Sequence, residues 1–95
     1  MLSSSRFIVA IHALSVLARH ANKGPVCSST IATSVDTNPV VIRRLMAELE
    51  KAKLVRATAG RCGGFELERN ADGITLADIY LAVEDETVFR MHKTD

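Results

Sequence analysis

The sequence is poor in cysteine and aromatic residues. Of its 95 residues, two are cysteine, one is tyrosine and three are phenylalanine, and there is no tryptophan. Two cysteines are too few for a disulfide-stapled secreted domain. Cys27 and Cys62 also lack a CxxC partner and a histidine at metal-ligand spacing, so we expect no metal site.

Long hydrophobic runs are also missing. Spanning a bilayer takes about 20 consecutive apolar residues, and no stretch approaches that length. The N-terminal segment "MLSSSRFIVAIHALSVLARH" is interrupted by arginine and histidine, and it lacks the cationic start and the small-residue cleavage site of a signal peptide. We therefore predict a cytoplasmic protein without a membrane segment. A chain of 95 residues, 47% of them hydrophobic, suffices for one small domain.

The charges are unevenly distributed along the chain. Residues 1–70 carry ten lysines and arginines against five acids, a net charge of +5, whereas residues 71–95 carry two against six, a net charge of −4. A basic N-terminal two-thirds favours a polyanionic partner, with the acidic end turned away from it. A solvated surface with a chance asymmetry explains the same numbers, so charge alone does not decide.

The first part of the chain has the signals of three helices. Apolar residues recur at helical intervals over residues 5–21, and the glycine and proline of "ANKGP" end the pattern. A short helix follows, with Ser28 or Ser29 as its N-cap. The next start signal is stronger, because Asn38 is a cap residue and Pro39 occupies the first helical position. We predict this helix over residues 39–52.

The second part predicts a hairpin and a closing helix. The segment "LVRATAGRCGGFELER" alternates and contains a cluster of glycines, which indicates strand, turn and strand. Thr75 and Asp78 then form a relative of the capping box before a final apolar helix. The predicted fold class is therefore mainly α with a small two-stranded hairpin, a winged helix-turn-helix.

The short helix, the tight turn and the helix at 39–52 together indicate DNA binding. In a helix-turn-helix the second helix enters the major groove, and its N-terminal half meets base edges. Arg43 and Arg44 lie in that half, and their guanidinium groups suit guanine edges or phosphates. Arg6 on the first helix is a further candidate for a phosphate contact. The predicted contacts of the turn and helix are Thr37, Asn38, Pro39, Val40, Arg43, Arg44 and Ala47.

The hairpin tip at residues 60–64 is interpreted as a wing that touches the flanking backbone or the minor groove. Gly63 and Gly64 would let the backbone approach a phosphate closely, and Arg61 would supply charge. An ordinary turn that needs glycine is the alternative. Cys62 lies beside Arg61, which would lower the pKa of its thiol, and we hypothesise that its oxidation releases DNA. Cys27 is expected to be a partly buried small residue.

Two other interpretations stay open at this point. Arg43 and Arg44 could be solvated helix charges paired with Glu48 and Glu50. The fold could also serve as a protein-interaction module without DNA binding. An enzyme is not expected, because no serine has a local base and the carboxylates cluster in the C-terminal part.

Three segments resemble the Rrf-two superfamily of bacterial winged-helix regulators. They are "RFIVAIHALSVLA", "NPVVIRRLMAELEKAKLVRATAGRCGGFELER" and "ITLADIYLAVE", within residues 3–86. The resemblance implies a homodimer on a palindromic operator in double-stranded DNA, usually repressing transcription. The cluster-binding members carry three cysteines after the segment that matches "AVED", whereas this chain has "ETVFRMHKTD", so no cofactor is expected. We assign the domain to residues 1–86, and residues 87–95 to a tail that could begin the family's dimerisation helix.

Overall fold

A computed structural model describes residues 4–61 and 63–83 of the chain. The order of elements follows the prediction: a helix of 16 residues, a short helix of 7, a helix of 13, a hairpin and a closing helix. The elements are α1 (Ser4–Arg19), α2 (Ser28–Ser34), α3 (Pro39–Lys51), β1 (Val55–Thr58), β2 (Gly64–Leu67) and α4 (Leu76–Val83), with a 3-10 turn at Ala71–Gly73 before α4. The proposed tail at 87–95 lies outside the described residues.

The core lies where α1, α2, α3 and α4 meet. Helix α3 contributes one complete face, because its apolar residues recur three and four positions apart and so align on one side. These residues are Ile42, Leu45, Met46 and Leu49, and each is 0% exposed. Helix α1 packs on them with Ala10, Ala13, Leu14, Val16 and Leu17. The ring of Phe7 on α1 meets that of Tyr80 on α4 edge-on at 5.6 Å.

The helix starts are set by local hydrogen bonds. The side chain of Asn38 accepts a hydrogen bond from the backbone N–H of Val40 at 2.7 Å, which satisfies one of the free donors at the start of α3. At α4 the capping box is reciprocal. The backbone N–H of Thr75 donates to Asp78 Oδ2, and the N–H of Asp78 donates to Thr75 Oγ1, both at 3.0 Å.

The predicted hairpin is present and antiparallel, with Val55 opposite Leu67 and Thr58 opposite Gly64. A third segment joins it that the sequence did not indicate. Val26, in the connection from α1 to α2, pairs with Phe65 through two backbone hydrogen bonds of 3.0 and 2.9 Å. The loop end of β2 is therefore tied to the entrance of α2.

The described residues contain no helix that is both long enough and apolar enough to cross a membrane.

Candidate nucleic-acid interface

The outer face of α3 is open to solvent. Val40 is 50% exposed, and Arg43, Arg44 and Ala47 are exposed as well. Arg43 and Arg44 lie three and four positions after Val40, and Ala47 lies four and three positions after them, so the four residues form one stripe along the helix. The opposite face is completely buried, so the amphipathicity of α3 fixes which side chains point outward.

The arginines of this stripe are not used by the fold. Among the described residues there are three ion pairs, and they involve only Arg6 and Arg56 as cations. Arg43, Arg44 and Arg61 are in none of them. The pairing of Arg43 and Arg44 with Glu48 and Glu50 is therefore not formed, and both arginines are solvated on the exposed face of α3.

Glu48 is engaged by a different arginine. Its Oε1 pairs with the guanidinium of Arg6, whose Nε also donates to the carbonyl oxygen of Val83 at 3.4 Å. Arg6 thus links α1, α3 and the last residue of α4. Its guanidinium therefore already has a carboxylate partner within the fold, and a contact with phosphate stays a prediction.

The predicted contacts in the turn before α3 have structural roles of their own. Thr37 is half-buried, and its backbone N–H donates to the carbonyl of Ala32 at 2.9 Å. The carboxamide oxygen of Asn38 is occupied by the cap, and Pro39 is half-buried at the first helical position. These three residues set the position of α3, whereas Val40, Arg43, Arg44 and Ala47 present side chains to solvent.

The glycines of the wing fall into two groups. A Cβ on Gly63 would lie 2.1 Å from the carbonyl oxygen of Thr58, and one on Gly64 would lie 2.4 Å from that of Val26. Neither position has room for a side chain, so packing within the chain is itself a reason for both glycines. Gly60 differs, because it has a φ of +104° and a Cβ added there would meet no described atom within 4 Å. Arg61, next to it, is exposed.

Cys27 is not the partly buried residue that the sequence suggested. It is exposed and is the N-cap residue of α2, one position before the predicted cap, because the chain is still extended there. Its Sγ lies 3.2 Å from both Ser29 Oγ and Thr30 Oγ1. Hydrogen bonds from Ser29 and then Thr30 lower the pKa of this thiol from 9.0 to about 7. Cys62 lies outside the described residues, and its oxidation remains a hypothesis.

The cysteines do not fit an iron–sulfur cluster within these 95 residues. Cys27 and Cys62 are the two that the sequence holds, which is fewer than the thiolates that such clusters use. Over residues 4–61 and 63–83, no group of three or more His, Cys, Asp or Glu side chains is placed to hold a metal ion.

Sequence reasoning missed Val41, which is 40% exposed beside Val40. A signal was present, since two consecutive β-branched apolar residues are an uncommon choice for the exposed first turn of a helix. The Val26 bridge was also missed, because nothing local to Val26 or Phe65 specifies their pairing.

A capped helix with an open cationic face, preceded by a short helix and followed by a glycine-tipped hairpin, defines a winged helix-turn-helix. The chain matches the Rrf2 family, described as iron-dependent transcriptional regulators, over residues 3–95. It belongs to that family, which consists of transcriptional regulators and not of enzymes.

Individual relatives agree with this assignment. The HTH-type transcriptional regulator YwnA of Bacillus subtilis is 38% identical over 91 residues, which covers 95% of this chain and 65% of YwnA. Among solved structures, CymR, the global cysteine regulator of B. subtilis, is similar with a TM-score of 0.82 and 26% identity over 88% of this chain and 65% of CymR. IscR of T. potens is similar with a TM-score of 0.81 and 27% identity, over 99% of this chain and 75% of IscR. The winged-helix prediction is confirmed.

The chain spans about half to two-thirds of the length of the curated relatives that it matches.

Proposed function

We propose that this chain is a sequence-specific DNA-binding regulator of transcription that acts as a repressor. Its recognition helix, predicted over residues 39–52 and observed as α3 (Pro39–Lys51), would lie in the major groove. The wing at residues 60–64 would touch the flanking backbone or the minor groove. The observation that carries the proposal is the outer face of α3, where Arg43 and Arg44 are exposed and form no ion pair with any described residue.

Each contact would have a distinct task. A guanidinium group presents donors in a fixed fork, so Arg43 and Arg44 would bind guanine edges in the groove or phosphates beside it. Arg61, Gly63 and Gly64 would lie near the backbone, where contacts fix the register of the protein without reading sequence. Asn38, Pro39 and Thr37 would act mainly by holding α3 at the angle that the groove requires.

A homodimer on a palindromic operator is part of the proposal. One helix-turn-helix reads one half-site, and a second copy one helical turn away doubles the phosphate contacts. Leu76 and Leu81 on α4 are 62% and 66% exposed, which supplies apolar surface for a second subunit or for the further residues that the longer relatives contain. A DNA-bound regulator of this kind would act in the cytoplasm.

The test is a charge-removal experiment with a matched control. In the double variant Arg43→Ala/Arg44→Ala we expect binding to genomic DNA fragments at about 0.1 M salt to fall at least about 100-fold. The salt dependence should also lose a slope of about 2. The variant Arg19→Ala/Lys23→Ala removes the same charge from the exposed end of α1 and should keep most of the affinity.

Two results would contradict the proposal. Equal losses in both double variants would show that net charge, and not the face of α3, drives binding. Unchanged DNA binding with a salt-insensitive protein partner would favour the interaction module instead. Circular dichroism should report the same fold for both variants, because all four substituted side chains are exposed.

A further inference from the structure

The first turn of α3 exposes two neighbouring valines. Val40 is 50% exposed and Val41 is 40% exposed, whereas the apolar residues of the opposite face are completely buried. The hydrogen bond from the N–H of Val40 to Asn38 fixes the backbone at this point, so the valines project from an ordered turn. Neither side chain contributes its full apolar surface to the core.

The surroundings of these valines distinguish them from scattered exposed apolar residues, which are common on protein surfaces. Arg43 and Arg44 follow Val40 by three and four positions, so both arginines neighbour it on the helix surface. Both arginines are without an ion pair among the described residues. Ile8 on α1 is equally exposed at 49% but has no arginine three or four positions away on its helix.

A mixed apolar and cationic face of this kind fits a defined feature of the major groove. Guanine presents acceptors that suit arginine, and thymine presents a methyl group that packs against apolar side chains. Four residues of an α-helix span about 6 Å, roughly two base-pair steps. A thymine methyl would therefore lie within a step or two of a guanine that Arg43 or Arg44 contacts.

We propose that Val40 and Val41 are specificity-determining residues that recognise thymine methyl groups next to guanine in the operator. The inference rests on the proposed function and deepens it, because it names the base feature that the apolar part of α3 would read. The two parts of the α3 face would then have different roles. The arginines would supply most of the affinity, and the valines would distinguish thymine from cytosine.

The experiment starts from duplexes selected out of a random pool by the 95-residue protein. Each thymine of a selected duplex is then replaced by deoxyuridine, which pairs identically and lacks only the methyl group. At one or two positions per half-site we expect binding to weaken about 3- to 5-fold, as befits the loss of one buried methyl contact. Replacement at the other thymines should change the affinity less than about 1.5-fold by the same reasoning.

Substitutions in the protein, combined with those in the DNA, identify the residues that contact the methyl group. The variant Val40→Ala/Val41→Ala should bind the thymine and deoxyuridine duplexes about equally, since the methyl has lost its partner. Ile8→Ala removes an equally exposed apolar side chain from α1 and should retain the full deoxyuridine effect. Circular dichroism on both variants checks that α3 remains folded.

The outcomes separate this inference from the function on which it rests. No deoxyuridine effect at any thymine, or an undiminished effect in the valine double variant, would overturn the inference while leaving arginine-dependent DNA binding intact. If the wild-type protein selects no sequence from the pool, the proposed function fails and the inference fails with it.

Discussion

Helix α3 and the wing were both predicted to contact DNA. They differ in whether packing within the chain already accounts for the residues that were assigned to that contact. On the outer face of α3, Val40, Arg43, Arg44 and Ala47 are exposed, and neither arginine makes an ion pair with the described residues. In the wing, Gly63 and Gly64 lie against backbone atoms of Thr58, Val26 and Cys27. An exposed arginine without an ion-pair partner favours a ligand contact, whereas a glycine that lies against backbone atoms is already explained by packing.

Substitutions in the two elements are therefore expected to have different effects, on DNA binding in α3 and on stability in the wing. Changes on the outer face of α3 should alter DNA binding and leave stability within about 0.5 kcal/mol, as is usual for exposed residues. Changes at the base of the wing should alter stability first. The following predictions concern the residues that hold the two elements in place, from the largest effect to the smallest.

Gly64→Ala should give the largest loss of stability. The new Cβ would lie 2.4 Å from the carbonyl oxygen of Val26 and 2.8 Å from the backbone nitrogen of Cys27, and backbone atoms cannot turn aside as a side chain can. We expect the free energy of unfolding to fall by about 3 kcal/mol, measured by urea denaturation.

Gly60→Ala is the matched control within the same wing. Its φ of +104° disfavours alanine, but no described atom lies within 4 Å of the added carbon. The cost should therefore be confined to backbone strain, about 1–2 kcal/mol. Equal losses at the two glycines would mean that the contact with Val26 does not constrain the wing.

Asn38→Ala tests whether the outer face of α3 depends on its cap. Loss of the 2.7 Å hydrogen bond to the N–H of Val40 should reduce the free energy of unfolding by about 1 kcal/mol. Asn70→Ala is the control, because Asn70 precedes the 3-10 turn without a side-chain cap bond among the described residues. Thermal denaturation of both variants measures the difference, and a loss at Asn70 as large as at Asn38 would refute the role of the cap.

The thiol of Cys27 should show the smallest effect, a pH dependence without much change in stability. Its pKa is lowered from 9.0 to about 7 by Ser29 and Thr30. Because the folded-state pKa is the lower one, the thiolate contributes stability above pH 9, and that contribution is lost as the pH falls through about 7. In a Cys62→Ser background, the rate of alkylation by iodoacetamide should reach half its maximum near pH 7.

Removing the hydroxyl groups of Ser29 and Thr30 tests whether their hydrogen bonds lower the pKa of Cys27. Ser29→Ala should move the midpoint of alkylation toward the ordinary value of the thiol, and Thr30→Ala should do so less strongly, in the order of their contributions. A midpoint that stays at the same pH in both variants would show that these hydrogen bonds do not lower the pKa.

What could be predicted from the sequence was what is encoded locally. Asn38 and Pro39 start α3 where expected, and the spacing of Ile42, Leu45 and Leu49 identified its buried face correctly. Helix periodicity and caps act over a few residues, so a single sequence displays them. The outward position of Arg43 and Arg44 follows from the same periodicity.

The contacts between distant parts of the chain were not predictable in this way. Arg6 and Glu48 are separated by 42 positions, and neither has a local feature that selects the other. The pairing of Val26 with Phe65 is equally remote, and it supplies a packing reason for Gly64 that the sequence left open. A glycine cluster indicates close approach but does not identify what is approached.

The bridge between Val26 and Phe65 limits how this domain can be recombined with its relatives. Because Phe65 of the hairpin forms backbone hydrogen bonds with Val26, in the connection ahead of α2, residues 55–67 do not form an independent unit. A chimera that imports a foreign hairpin must keep glycine at position 64, because a Cβ there would lie 2.4 Å from the carbonyl oxygen of Val26.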